Sequence, residues 1–438
     1  MNRFKTFLLN SLLVVISTLM LQIIKLIFSI YVSNNISSEA LGVFQLIMST
    51  YIFGITLASS GVNIACTRVV AEEIALKSPN GVKKATSKCI LISLILGFSA
   101  SLIFYTNSRF IVTNCFHNKV STNIVYLICI ALPIISISSA INGYFTSNGR
   151  VYKTVIGNFL EQISKIIACI LLLKKYLSTG NLEYICYSLI LGDVISEIIS
   201  FTYFVIIYIF DIKLHFSTTK VSTSNNFLNR ILKILLPVAM TSYIRSGLST
   251  IKQLIIPSSL EKSGISCEKA LSSYGIISGM AMPIVLFPSN FLMAISSLIM
   301  PEFARYHIKQ DCQKIKLYAH KLIFLTFIFS CFLALFFFIF GRNLGTIIYN
   351  NSQVGGFIKI FAPLIPFIYI DIIIDCILKG LDAQVSVMII NILDLLISTS
   401  FIFIFVPLFG IKAYIVSIYT SEILNFILSI RKLLKLLK

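Results

Sequence analysis

The sequence predicts an all-α polytopic membrane protein, with about twelve transmembrane helices in two six-helix lobes related by a parallel pseudo-repeat. Three observations carry that prediction. Of the 438 residues, 57% are apolar and only 12% charged, where a soluble domain carries about 25% charged residues. The charges are clustered, leaving apolar runs of the ~20 residues that a membrane-spanning helix needs. And a pattern of charged and helix-breaking residues in the first half recurs in the second.

In chain order the runs fall near 7–33, 41–66, 89–107, 122–146, 154–173, 184–210, 231–256, 271–299, 319–341, 354–378, 385–406 and 411–430. Arg3 and Lys5 open the first run as they would a signal peptide, but the run reaches Val32, too long for a signal core. It reads as a retained first span. The second ends in Arg68, Glu72 and Glu73. After the sixth comes a polar stretch from Asp211 to Asn229, rich in Ser, Thr and Asn. It divides the chain into a first lobe (1–210), a cytoplasmic linker (211–229) and a second lobe (230–438). Pro283 and Pro288 interrupt the eighth run, just after Gly275 and Gly279; Pro363 and Pro366 interrupt the tenth. Each proline removes a backbone hydrogen bond and permits a bend.

The two halves align with a drifting offset. A shift of 227 lays Arg3 and Lys25 on Arg230 and Lys252, and a shift of 230 lays Phe44 and Glu72 on Tyr274 and Glu302. A shift of 233 lays Pro133, Asn158 and Glu161 on Pro366, Asn391 and Asp394. With six spans per copy both copies enter from the same side, which relates them by an axis along the membrane normal.

With the N-terminus placed inside, 23 Lys and Arg fall on the cytoplasmic side and 8 outside. Basic loops stay cytoplasmic, so both termini are expected inside. That bias accounts for the net charge of +19 without a nucleic-acid partner. The ten cysteines form no CxxC and no Cys/His set at zinc spacing, so neither metal nor cofactor is expected beyond a transported H⁺ or Na⁺.

Ionisable groups at membrane depth are costly and persist where they pair, line water or bind something. Five basic residues fall inside the spans (Lys25, Lys165, Arg245, Lys252, Lys359), with seven acidic ones (Glu161, Asp193, Glu197, Asp371, Asp375, Asp394, Glu422). Glu161 and Lys165 are spaced i, i+4, which suits a self-neutralised helix pair. Arg245 and Lys252 share one face of the seventh span, and Lys25 holds the matching place on the first; none has an acid on its own helix. These cations suit a phosphate, Arg as a two-toothed fork and Lys as a point charge, although lysines near a span end also snorkel to the interface. Asp193 with Glu197, and Asp371 with Asp375, are like charges one turn apart, suited to holding a proton or to neutralising a cation on a neighbouring helix. Asn391 and Asp394 offer oxygens at i, i+3 to Na⁺.

The run YGIISGMAMPIVLFPSNFLMAISSLIMPEFAR, from Tyr274 to Arg305, resembles the stage V sporulation protein B family of polysaccharide-type transporters. So does NGYFTSNGRVYKTVIGNFLEQISKI, from Asn142 to Ile166, and so does the second span with its Arg68, Glu72, Glu73 ending. The resemblance covers essentially the whole chain. It implies the multidrug/oligosaccharidyl-lipid/polysaccharide exporter superfamily, in which two six-helix lobes around a central cavity alternate access between membrane faces. The branch that includes the lipid II flippase moves undecaprenyl diphosphate-linked sugars outward, basic cavity residues holding the diphosphate. Lys25, Arg68, Arg245 and Lys252 match that role here.

The leading expectation is therefore a monomeric flippase of the bacterial plasma membrane. Its partners would be membrane lipids and a polyprenyl diphosphate-linked oligosaccharide, a precursor of peptidoglycan or spore cortex. Glu161, Asp193, Glu197, Asp371, Asp375, Asn391 and Asp394 are its ion-coupling candidates. The alternative is an H⁺- or Na⁺-coupled multidrug antiporter of the same fold, favoured by the intramembrane acids. A membrane glycosyltransferase fits less well, because the outer loops are short and the four histidines are scattered.

Overall fold

Inside hydrocarbon a backbone must satisfy its own polar groups, which commits apolar runs of this length to helix. The computed structural model describes residues 3–177, 180–215 and 226–437. Among them are twelve helices long and apolar enough to cross a membrane: Leu13–Asn35, Ser38–Ala75, Pro79–Thr106, Thr122–Ser147, Val151–Tyr176, Leu182–Lys213, Phe227–Lys262, Cys267–Leu286, Cys312–Tyr349, Ser352–Gly380, Gln384–Phe409 and Ile411–Leu437. They answer one for one to the apolar runs, and they are called the first to twelfth spans below. Most extend past the apolar run, because charged ends remain helical outside hydrocarbon. The ninth is the extreme: Asp311 caps its start by accepting the Lys314 N–H at 3.2 Å. Its 38 residues reach ~57 Å at 1.5 Å per residue.

By contact the chain forms two compact units, Met1–Val14 with Leu46–Gly247, and Val15–Gln45 with Leu248–Lys438. Residues 15–45 thus pack with the second unit, and residues up to 247 with the first. Of the expected linker 211–229, residues 216–225 lie outside the described residues.

In the first unit the second span breaks between Ser59 and Val62. Gly61 sits there at φ 79°, and a Cβ on it would fall 2.9 Å from the Leu235 carbonyl oxygen, so only glycine fits both the turn and the approach. Around this break Val62, Cys66, Val69, Val82, Ile141 and Phe204 form part of a continuous buried core. A polar group at this depth needs a partner, and the Ser136 hydroxyl lies 2.6 Å from the carbonyls of both Ala58 and Ser93.

In the second unit, prolines set the local structure. The eighth span is α-helical over Cys267–Tyr274, widens to a π-helical stretch over Gly275–Ala281, and resumes over Met282–Leu286. Pro283 lacks the N–H that the turn before it would use, and a wider turn re-registers the ladder. The chain restarts after Pro288 as the helix Ser289–Ile308, so the run expected at 271–299 is two helices. The Tyr369 hydroxyl donates to the Val285 carbonyl at 2.8 Å, serving the interrupted end. The tenth span breaks likewise: Ala362–Leu364 tightens to a 3₁₀ turn, and the Tyr419 hydroxyl donates to the Ile360 carbonyl at 2.5 Å. Both tyrosines donate to carbonyls at the interrupted helix ends.

Candidate functional site

The fifth and sixth spans pack along their length in the first unit and bring four charged residues together. Lys165 extends from the fifth to Asp193 on the sixth, Nζ to Oδ1 at 2.5 Å. Glu161, one turn before Lys165, and Glu197, one turn after Asp193, lie within electrostatic reach of the same pair. Tyr51 joins from the second span, 3% exposed, its hydroxyl without a hydrogen-bond partner. Three carboxylates share one ammonium here. With every carboxylate ionised the four side chains sum to two negative charges, which a proton or a monovalent cation would offset.

A second cluster forms within the other unit. Ser421 on the twelfth span donates to Asp394 Oδ1 at 2.7 Å, and the Lys252 ammonium stands 3.4 Å from the same hydroxyl. Asp394 and Glu422 both act electrostatically on Lys252. Asn425 donates to Asp371 Oδ2 at 3.0 Å, leaving Asp371 Oδ1 and Asn425 Oδ1 buried without partners. Asp375 faces a different neighbour, Lys379, at 3.5 Å. Asn391 turns its amide back to its own helix, Nδ2 to the Val387 carbonyl at 2.8 Å, and not to Asp394. Glu161 and Asp394, equivalent in the repeat, thus each sit in an acid-rich cluster with one lysine.

The basic candidates separate. Lys252, read from sequence as having no acid on its own helix, meets two carboxylates supplied by the eleventh and twelfth spans. Arg68 is 68% exposed on its side chain and lies 3.5 Å from Glu72 on its own helix. Arg245 is exposed. Lys25 lines a cavity of about 400 Å³ with Gln22 and Ser29 of its own helix and with Pro283, Ser289 and Asn290 of the broken eighth span. Among the described residues, no ion pair engages Lys25 or Arg245. At the cavity, the first turn of the helix Ser289–Ile308 adds the partial positive charge of a helix start. Cavity, cation and helix start together can hold an anion.

One cation that the sequence marked only as a repeat position proves structural. Arg230 binds Glu72 at 2.5 Å with Nη2 and Glu73 at 2.8 Å with Nη1, tying the start of the seventh span to the end of the second. Asp211, at the end of the sixth span, is buried and accepts from Tyr144 at 2.8 Å, from Lys153 at 2.5 Å and from Arg150. The adjacent Glu72 and Glu73 at the end of an apolar run were the signal that a cation had to meet them.

The sequence profile of the polysaccharide biosynthesis protein family matches residues 7–307, and the MatE profile matches residues 262–404. Stage V sporulation protein B of Bacillus subtilis (strain 168) is 22% identical over 430 residues, covering 96% of this chain and 82% of that protein. Among solved structures, the inward-facing conformation of a multidrug resistance MATE family transporter of the MOP superfamily matches with a TM-score of 0.71 at 16% identity. It covers 97% of this chain and 98% of that one. An outward-facing conformation described in the same words matches at 0.64 with 14% identity, covering 98% and 95%. At such identities the likeness speaks for the fold, and the fold is that of MATE transporters.

Proposed function

The chain belongs to the polysaccharide biosynthesis protein family of MOP-superfamily transporters, and on that premise we propose that it is a flippase for a lipid-linked oligosaccharide. Its cargo is an undecaprenyl diphosphate-linked precursor of peptidoglycan or spore cortex, moved outward across the bacterial plasma membrane by alternating access, with both termini cytoplasmic. The observation that carries this reading is Lys25, a cation without an ion pair beside a cavity that also offers amide and hydroxyl groups and a helix start. A diphosphate leaving water needs its charge met by donors already in place. Lys25 supplies a point charge at the cavity; Arg245 and Arg68 are the forked candidates, each able to grip two oxygens at once. Lys252 reaches the anion only when a proton or Na⁺ compensates Asp394 and Glu422 in its stead. The break at Pro288 lets the helices beside the cavity bend without further loss of hydrogen bonds.

A second reading, an H⁺- or Na⁺-coupled multidrug antiporter, is favoured by the surplus carboxylates around Lys165, which suit a cationic drug. Thermal unfolding of the purified chain separates the two. A ligand of the folded state at 100 times its Kd adds about 2.7 kcal/mol. Undecaprenyl diphosphate is expected to raise the midpoint of the wild type but not of Lys25→Ala or Arg245→Ala. Stabilisation by cationic drugs alone, indifferent to both substitutions, overturns the flippase in favour of the antiporter.

A further inference from the structure

Where the eleventh span turns into the twelfth, the second unit carries a groove of about 750 Å³. One wall is a stripe on the eleventh span, Phe401, Phe405, Leu408 and Phe409. Spaced i, i+4, i+7 and i+8, these residues share one helix face, and the first two rings lie 4.6 Å apart. The stripe is far from dry inside the protein: Leu408 is 69% exposed and Phe409 65%. From Phe401 to Phe409 it runs ~12 Å along the helix, close to the ~15 Å of one leaflet's hydrocarbon.

The other end of the groove is polar. Gly410 closes the span, Ser263 lies beside it, and Lys412 follows at the rim. Lys262, next to Ser263, holds its ammonium 5.7 Å over the Phe403 ring, on the helix face opposite the stripe. Among the described residues, Lys412 is engaged in no ion pair with a carboxylate. An apolar trough one leaflet deep with an uncompensated cation at its rim has the shape and charge of an amphiphile with an anionic head.

We propose that this groove binds one anionic phospholipid of the leaflet at the Phe409 end, with an acyl chain along Phe401, Phe405 and Phe409 and the phosphate at Lys412. The depth favours an ordinary acyl chain over a polyprenyl chain, which would run well past Phe401. The bound lipid covers the exposed phenylalanines and holds the Phe409–Gly410–Ile411 turn at the membrane surface.

Native mass spectrometry of the full chain, released from detergent with defined lipids, tests this. Phosphatidylglycerol is expected to be retained in preference to phosphatidylcholine. The preference falls about five-fold in Lys412→Gln, following ~1 kcal/mol for each basic residue near an anionic surface, and is unchanged in Lys262→Gln, whose ammonium lies over Phe403. Val416→Trp, a change at an exposed lining side chain, fills the groove and reduces retention of both lipids while leaving the unfolding midpoint in lipid-free detergent unchanged. Equal retention of the two lipids by the wild type, or a preference that survives Lys412→Gln, overturns the site. Undecaprenyl phosphate displacing phosphatidylglycerol at equal concentration also overturns it, and would assign the groove to the carrier lipid.

Discussion

Lys165 and Asp193 meet at 2.5 Å between the fifth and sixth spans, a contact that spacing along a single helix could not reveal. Lys165 is 24% exposed on its side chain and Asp193 5%, so neither charge has much water to fall back on. Glu161 and Glu197 beside them make the lysine the only positive charge of a four-residue group.

Removing one partner of a buried pair strands the other, at a cost of about 3–5 kcal/mol, whereas replacing both by apolar groups of similar volume is nearly neutral. Asp193→Ala is therefore expected to lower stability by that amount in denaturant unfolding in detergent. The double change Asp193→Leu with Lys165→Met should recover most of it. Equal losses in the single and double variants would show that the pair is not what holds these spans together.

Arg230 grips Glu72 and Glu73 with separate nitrogens of one guanidinium, a geometry that a lysine ammonium cannot reproduce. Arg230→Lys is expected to keep one of the two contacts and Arg230→Gln neither. Glu73 is 6% exposed on its side chain and Glu72 44%. A double-mutant cycle should therefore give a coupling to Glu73 of about 1.5–3 kcal/mol, the range for hydrogen bonds to charged groups, and a smaller one to Glu72, which water screens. Equal couplings would contradict the geometry.

The spans were legible because the bilayer imposes a length and a composition that any window of sequence reveals. The prolines announced the breaks after Leu286 and at Ala362–Leu364 for the same local reason. The partners of the charges were not legible. Asp394 and Glu422 reach Lys252 from helices far along the chain, and no periodicity says which face of one helix meets which face of another. The repeat came closest, since it paired Glu161 with Asp394, and each occupies an acid-rich cluster in its own unit. It said nothing of Ser421, whose hydroxyl joins Lys252 to Asp394, nor of Tyr51 on the second span.

Ahead of the ninth span, the side chain and backbone N–H of Lys314 hydrogen-bond the Asp311 carboxylate and hold its pKa below the ordinary value. A native value below the unfolded one means that the unfolded chain binds the proton first. The contribution to stability is then complete above about 3.8, the ordinary value, and is lost as pH falls through the lowered native value. The gap in unfolding midpoint between wild type and Asp311→Asn should be constant from pH 6 down to about 5 and close in more acid solution. A gap that stays constant into strong acid would remove the carboxylate from the account.

Gly42 of the second span and Gly275 of the eighth cross backbone to backbone in the second unit. A Cβ on Gly275 would lie 2.3 Å from the Ser38 carbonyl oxygen and 2.7 Å from the Gly42 nitrogen; one on Gly42 would lie 2.1 Å from the Leu271 carbonyl oxygen. These neighbours are backbone atoms, which cannot swing aside as a side chain would, so the helices themselves must part. Small residues are how membrane helices gain such approach, and overpacking a close contact costs about 1–3 kcal/mol. Gly356, in the helix Ser352–Phe361, has nothing within 4 Å of the equivalent point. Gly275→Ala should therefore destabilise the protein in thermal unfolding. Gly356→Ala should leave it unchanged or raise stability by up to ~1 kcal/mol through helix propensity alone. If both substitutions are neutral, the second and eighth spans do not pass as closely as their backbones indicate, and the approach that places Tyr274 and the π-helical turn after it loses its basis.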